Sequence, residues 1–201
     1  MFEPSFSVEK IVWPAEIERL ESCASRVLDG LIEGIESSVD ENRKVIGFAS
    51  EKSGSGCTFI TLAVARLLAL RGIKTFLADA RCSRPAIANY LNLAPEFGWE
   101  DAYDQSIPLE DAVIESQTEP LAVLPLINAV NPAMLDFPKL IETIRSSYDV
   151  ILLDLGTESH SALEAIDSIL LIRDCREEKH TEHNSHDEVP VLGLVENFFA
   201  A

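Results

Sequence analysis

Residues 44–80 read KVIGFASEKSGSGCTFITLAVARLLALRGIKTFLADA, and this stretch decides the fold. Val45 to Ala49 is a short apolar run with the length of a buried strand. A Gly/Ser-rich turn follows, Lys52-Ser53-Gly54-Ser55-Gly56-Cys57-Thr58. Phe59 to Leu70 carries few charges and many Ala and Leu, and Gly72 is a natural residue to end a helix there. A second apolar run, Thr75 to Ala78, closes on Asp79. Strand, glycine turn, buried helix, strand is the layout of a phosphate-binding loop. Glycines let the backbone curl so that successive N–H groups converge on an anion, and the helix N-terminus adds partial positive charge. Gly54, Gly56 and the amides from Ser53 to Thr58 supply that cradle here. One position departs from the pattern: where such a loop has its lysine, this chain has Cys57. A Gly/Ser turn also serves as plain chain reversal, so the residues around it must decide.

Working outward, Leu121 to Leu126, Asp149 to Leu155, Ser168 to Ile172 and Val191 to Val195 read as four further strands. Helices are expected over Ala86–Leu91, Leu109–Glu115 and Phe137–Ser147. The alternation predicts an α/β fold: a mainly parallel sheet flanked by helices over residues 44–201. Asp79 and Asp154 both close predicted strands, and ligands of parallel sheets bind at that carboxyl edge. Thr58, Asp79 and Asp154 are then three magnesium-competent groups that converge on one edge.

Residues 1–43 form an N-terminal extension in which 1–14 read as irregular. Ala15 to Ser38 carries an apolar stripe, Ile17, Leu20, Ala24, Val27, Leu28, Leu31, Ile32 and Ile35, on one helix face. That stripe either docks on a neighbouring subunit or covers the chain's own sheet; the second is the commoner use. Residues 174–190 are polar and aperiodic and read as a loop. His180, His183 and His186 there, beside Asp187, suit a metal by spacing, but no apolar surroundings would hold such ligands in place.

The composition narrows the function. With 16 basic and 34 acidic residues the net charge is −18, which disfavours nucleic acid and anionic lipid. No apolar run approaches the roughly 20 residues that span a bilayer. MFEPSFSVEK does not have the form of a signal peptide. Cys23, Cys57, Cys82 and Cys175 lie far apart, as free thiols of a reducing cytoplasm do. A cytoplasmic location is expected.

Lys52–Thr58 resembles the deviant Walker A motif, K-G-G-x-G-K-[ST], of the MinD/ParA class of P-loop ATPases. Phe76–Pro85, FLADARCSRP, resembles the Walker A′ segment of bacterial tyrosine kinases of capsule and exopolysaccharide synthesis, and Tyr148–Asp154, YDVILLD, their Walker B strand. Phe97–Asp101 with Leu109–Ala112, Leu121–Pro132 and Gly193–Asn197 look like further stretches of these kinases. The resemblance covers residues 44 to 198. It implies ATP or ADP with Mg²⁺ as ligands, Lys52 and Asp79 as catalytic groups, and Asn197 near the base. It also implies a membrane polysaccharide-export or chain-length protein as partner, and it is compatible with a homodimer.

The departures qualify that reading. Cys57 cannot neutralise phosphate as lysine does, and losing one preorganised donor costs about 10²–10³ in rate. Arg81 replaces the second Walker A′ aspartate and repels a metal. Lys to Cys removes one positive charge and Asp to Arg adds two. Arg81, with Lys52, is therefore expected to stand in for the missing lysine; an Arg81 directed away from the glycine turn would refute this. Cys57 is either a reactive thiol at a helix N-terminus or an inert filler. The chain ends VENFFAA, and its tyrosines, Tyr90, Tyr103 and Tyr148, lie within the fold, so tail autophosphorylation of the kinase type is not expected. Of the kinases' oligomerisation pattern only Glu16 and Arg19 remain. Three functions stay open: a nucleotide-binding regulator or scaffold with weak or no catalysis, an interaction module that has lost its nucleotide, and an active ATPase that positions cargo.

Overall fold

The computed structural model describes residues 2–104, 106–157, 159–176 and 189–198. It opens with a three-residue strand, β1 (Phe6–Val8), and two helices, α1 (Ala15–Cys23) and α2 (Ser25–Asp40). Then come β2 (Val45–Ser50), α3 (Cys57–Leu70) and β3 (Thr75–Asp79), the stretch that decides the fold. Three short helices follow, α4 (Ile87–Tyr90), α5 (Trp99–Tyr103) and α6 (Leu109–Ala112), then β4 (Ile114–Ser116) and β5 (Leu121–Leu124). The chain continues through α7 (Phe137–Ile144), β6 (Val150–Gly156), β7 (Ser168–Asp174) and β8 (Val191–Asn197). The sheet order is β1-β4-β5-β3-β6-β2-β7-β8. The six strands expected from the sequence, from β5 to β8 in that order, pair in parallel throughout. This is the P-loop NTPase architecture, with the loop strand β2 between β6 and β7.

Three expectations are corrected. The first fourteen residues are not all irregular: Phe6–Val8 pairs in parallel with β4. A strand of three residues with little burial leaves no periodicity to read. The helix expected over Leu109–Glu115 stops at Ala112, and Ile114–Ser116 turns into a strand antiparallel to β5. Here β-branched Val113 and Ile114 follow the pairing available to them rather than the helical spacing. The long N-terminal helix is broken at Ala24, where φ is −122° and ψ 23°. The break lets two shorter apolar stripes each lie on α3.

The strands explain why the apolar runs are continuous. Residues alternate between two buried layers, Phe76 and Ala78 on one face and Leu77 on the other, and both faces are covered. α3 lies between the sheet and the α1–α2 pair, so Leu62, Ala63, Val64 and Ala65 in succession are fully buried. Arg66 and the residue that caps the C-terminus of α3, Arg71, reach out to that pair. Arg66 bridges Glu21 and Glu18 of α1, and Arg71 bridges Asp29 at 2.8 Å and Glu36 at 3.3 Å of α2. The N-terminal stripe thus covers its own chain. The same alternation puts Asp79 on the face of Leu77 and Asp154 on the face of Leu152, the α3 side. Among the described residues no helix is long and apolar enough to cross a membrane.

Candidate functional site

The glycine turn opens onto a cleft of about 760 Å³ at the carboxyl edge of the sheet. Gly56 is the N-cap of α3 and has a left-handed backbone, φ +87°. A Cβ there would lie 2.3 Å from Asn197 Nδ2. Asn197 donates that amide to Ser55 O at 2.9 Å, so the last residue of β8 fastens the turn. Gly56 is needed for its conformation and for this approach. Lys52 is exposed at the cleft mouth and interacts electrostatically with Asp174. Ser53 and Gly54 are exposed, while the Ser55 hydroxyl is buried without a hydrogen-bond partner.

Cys57, the first residue of α3, is buried. Burial pushes its thiol well above the ordinary value, and the neighbouring Asp154 carboxylate adds to the shift. Both effects favour the neutral thiol over the reactive thiolate.

Asp79 and Asp154 stand directly across from each other on β3 and β6. Both are fully buried, and their uses differ. Asp79 accepts three backbone N–H bonds, from Arg81 at 3.1 Å, Ala86 at 2.7 Å and Ile87 at 2.9 Å. It thereby folds the 80–87 loop over the cleft. Burial raises its pKa, and those three amides oppose the rise. Neither Asp154 oxygen has a hydrogen-bond partner by distance and angle, although Thr58 and Cys57 lie close enough to act on it as weak donors. Burial first, then the Asp79 charge, pushes its pKa up to about 7; Thr58, Arg81 and Cys57 beside it pull the other way. β6 bulges immediately after Asp154, where the pairing with β2 slips between Phe48 and Ala49.

Arg81 turns toward the glycine turn. Its Nη1 donates to Thr58 Oγ1 at 2.7 Å. Its stem lies over Gly156, the residue that ends β6: a Cβ there would come within 2.7 Å of Arg81 Nε and 3.1 Å of Cδ and Cγ. Gly156 has φ +56° and its missing side chain is the seat of the arginine. Sequence reasoning passed over Gly156; its signal was a glycine directly after a strand-ending aspartate motif. It also passed over Arg176, which donates to Gly54 O at 3.3 Å and stacks 3.8 Å above the Phe198 ring.

Two of the three groups expected to hold magnesium are engaged elsewhere in this structure. The Thr58 oxygen meets a guanidinium, the Asp79 oxygens meet three amides, and Asp154 alone is left. Among the described residues no three or more His, Cys, Asp or Glu side chains cluster as a metal site, a count that a site of one threonine and two aspartates would not reach. His180, His183 and His186 lie outside the described residues.

No protein-family model matches the chain. Over 142 residues it is 28% identical to an uncharacterized ATP-binding protein of Methanocaldococcus jannaschii. That match takes in 65% of this chain and 52% of the relative, so the chain spans about half the relative's length. Among solved structures, the VpsO kinase domain superposes with a TM-score of 0.76 at 22% identity, over 91% of this chain and 98% of that one. The BceF tyrosine kinase domain gives 0.69 at 21% identity, over 94% and 91%. The septum site-determining protein MinD of Pyrococcus horikoshii, complexed with Mg-ADP, gives 0.56 at 22% identity, over 76% and 81%. The fold is therefore that of bacterial tyrosine-kinase domains and MinD ATPases.

Proposed function

We propose that this chain binds the phosphates of ATP or ADP in the cleft of the glycine turn, with weak or no catalysis. The observation that carries the reading is the Arg81–Thr58 contact, which puts a permanent cation beside the turn whose lysine is Cys57. The backbone cradle is intact, with Gly56 as the left-handed N-cap of α3 and the turn fastened by Asn197. Catalysis is weak because a buried, neutral thiol cannot stabilise charge that develops on a transferred phosphoryl group. The relative named for ATP binding supports the ligand class. Likeness to exopolysaccharide kinase domains supports a regulatory or scaffolding part in polysaccharide synthesis, alongside a membrane protein of that machinery.

Calorimetric titration with ATP and ADP tests this. Saturable binding is expected, and Gly56→Val abolishes it, since any Cβ there collides with Asn197. No heat at millimolar nucleotide would overturn the reading in favour of a pure interaction module. Turnover above about 1 per second, within the ordinary enzyme range, would restore the active ATPase.

A further inference from the structure

We infer that the cleft takes its nucleotide as the metal-free polyphosphate, with Arg81 as the cation that magnesium would otherwise be. The inference rests on the nucleotide-binding reading above and specifies the form of the ligand. Thr58 Oγ1, the hydroxyl placed to ligate a metal, accepts a hydrogen bond from Arg81 Nη1 at 2.7 Å. A second cation at that oxygen would face the guanidinium across a few ångströms, and like charges that close repel. The arginine is seated and not incidental. Gly156 has no Cβ, and one would meet three atoms of the Arg81 side chain within 3.1 Å. The buried Asp79 and Asp154 face each other across β3 and β6, and Arg81 lies close enough to act on both.

The guanidinium suits the task. It stays charged at every working pH and carries five N–H donors, which match phosphate oxygens in pairs. One donor goes to Thr58, and among the described residues the guanidinium makes no other hydrogen bond. Arg81 lines the cleft together with the turn from Lys52 to Thr58. The remaining donors are thus available at the end of the cradle to a phosphate that brings no metal. The sign of the metal effect follows. Mg²⁺ in solution competes for the same phosphate oxygens, so it weakens binding or leaves it unchanged.

The test is titration of the full chain with ADP and ATP in excess EDTA and again in millimolar Mg²⁺. Affinity in EDTA is expected to equal or exceed that in Mg²⁺. Arg81→Ala should weaken binding in EDTA by about 10–100-fold, the range for a hydrogen bond to a charged group. Arg81→Asp should reverse the metal dependence, binding only when Mg²⁺ is present. Circular dichroism and a urea melt of each variant establish that it is folded. Wild-type binding that appears only with Mg²⁺ would overturn this inference and leave the proposed function standing. Binding in EDTA that Arg81→Ala leaves unchanged would also overturn it. No binding under either condition would overturn both.

Discussion

Replacing Asp154 by asparagine should make the protein more stable, increasingly so as pH rises. Asp154 is fully buried with both oxygens unpartnered, opposite a second buried carboxylate. Its pKa stands at about 7 against an ordinary 3.8. Between those values the unfolded chain has released the proton while the folded chain keeps it. The unfolded state binds fewer protons, so stability falls as pH rises through that window. The slope approaches about 1.36 kcal/mol per pH unit, and the whole rise represents a cost on the order of 4 kcal/mol above pH 7. The asparagine side chain carries no charge to desolvate, and its amide can donate to the Thr58 oxygen. At pH 8 the variant should therefore exceed wild type by about 2–4 kcal/mol; near pH 4 the two should coincide.

The assay is urea unfolding in EDTA without nucleotide, from pH 4 to 8.5, followed by the fluorescence of buried Trp99. The difference between variant and wild type is the quantity that matters. A net charge of −18 gives both proteins a common decline with pH, which cancels. Arg81 lowers the Asp154 pKa, so in an Arg81→Ala background the difference should grow and extend to higher pH. A variant less stable than wild type at pH 8 would refute the reasoning, as would a difference that does not change with pH. Either result would mean that the carboxylate is already neutralised in the folded chain.

Other expectations follow from the same geometry. Gly156→Ala places a methyl 2.7 Å from Arg81 Nε at φ +56°; it should cost about 1–2 kcal/mol in a urea melt and lower nucleotide affinity as Arg81→Ala does. Asp79→Ala strips three backbone amides of their acceptor and should cost at least about 3 kcal/mol, with Asp79→Asn milder. Iodoacetamide at pH 8, read by mass spectrometry, should label exposed Cys23 at once and buried Cys57 and Cys82 only after unfolding. Arg66→Ala removes the bridges that tie α1 to α3 from a side chain only 16% exposed, and should cost about 1–2 kcal/mol by thermal melt.

The parts of the fold that were legible in sequence are those whose signal is local and repeated. Continuous apolar runs gave the six parallel strands because both faces of each are buried, which removes any need for polar alternation. The alternation of strand residues then carried Asp79 and Asp154 to the α3 face without further information. What failed was non-local. Phe6–Val8 is a strand only because Ile114–Ser116 is there to pair with it, and Ile114–Ser116 leaves its helical spacing for the same reason. Neither segment announces a partner so far away in the chain, and three residues are too few to carry a period. The break at Ala24 is a third case, since both segments are fitted to α3, further along the chain, rather than to one another alone.

The site divides in the same way, and the division bears on how its chemistry should be read. Residue types alone give the charge balance: one positive charge lost at position 57, two gained at position 81. They do not say where the gained charge sits. In the fold, Arg81 meets Thr58, 23 positions earlier, only because Gly156, on another strand, leaves room for its stem. By residue type Cys57 loses a phosphate ligand and Arg81 loses a metal ligand, with Arg81 and Lys52 expected to stand in for the missing lysine. The geometry makes them a single exchange. Once a guanidinium occupies the Thr58 oxygen, a lysine at position 57 would add a second fixed cation beside it, against two buried carboxyls, of which Asp79 is already committed to three backbone amides. A small neutral residue at 57 is then what the arginine requires. This coupling has a measurable form: Cys57→Lys alone should fail to raise nucleotide turnover, whereas Cys57→Lys combined with Arg81→Asp should raise it in the presence of Mg²⁺. A single Cys57→Lys that restored turnover would mean that the two positions are independent.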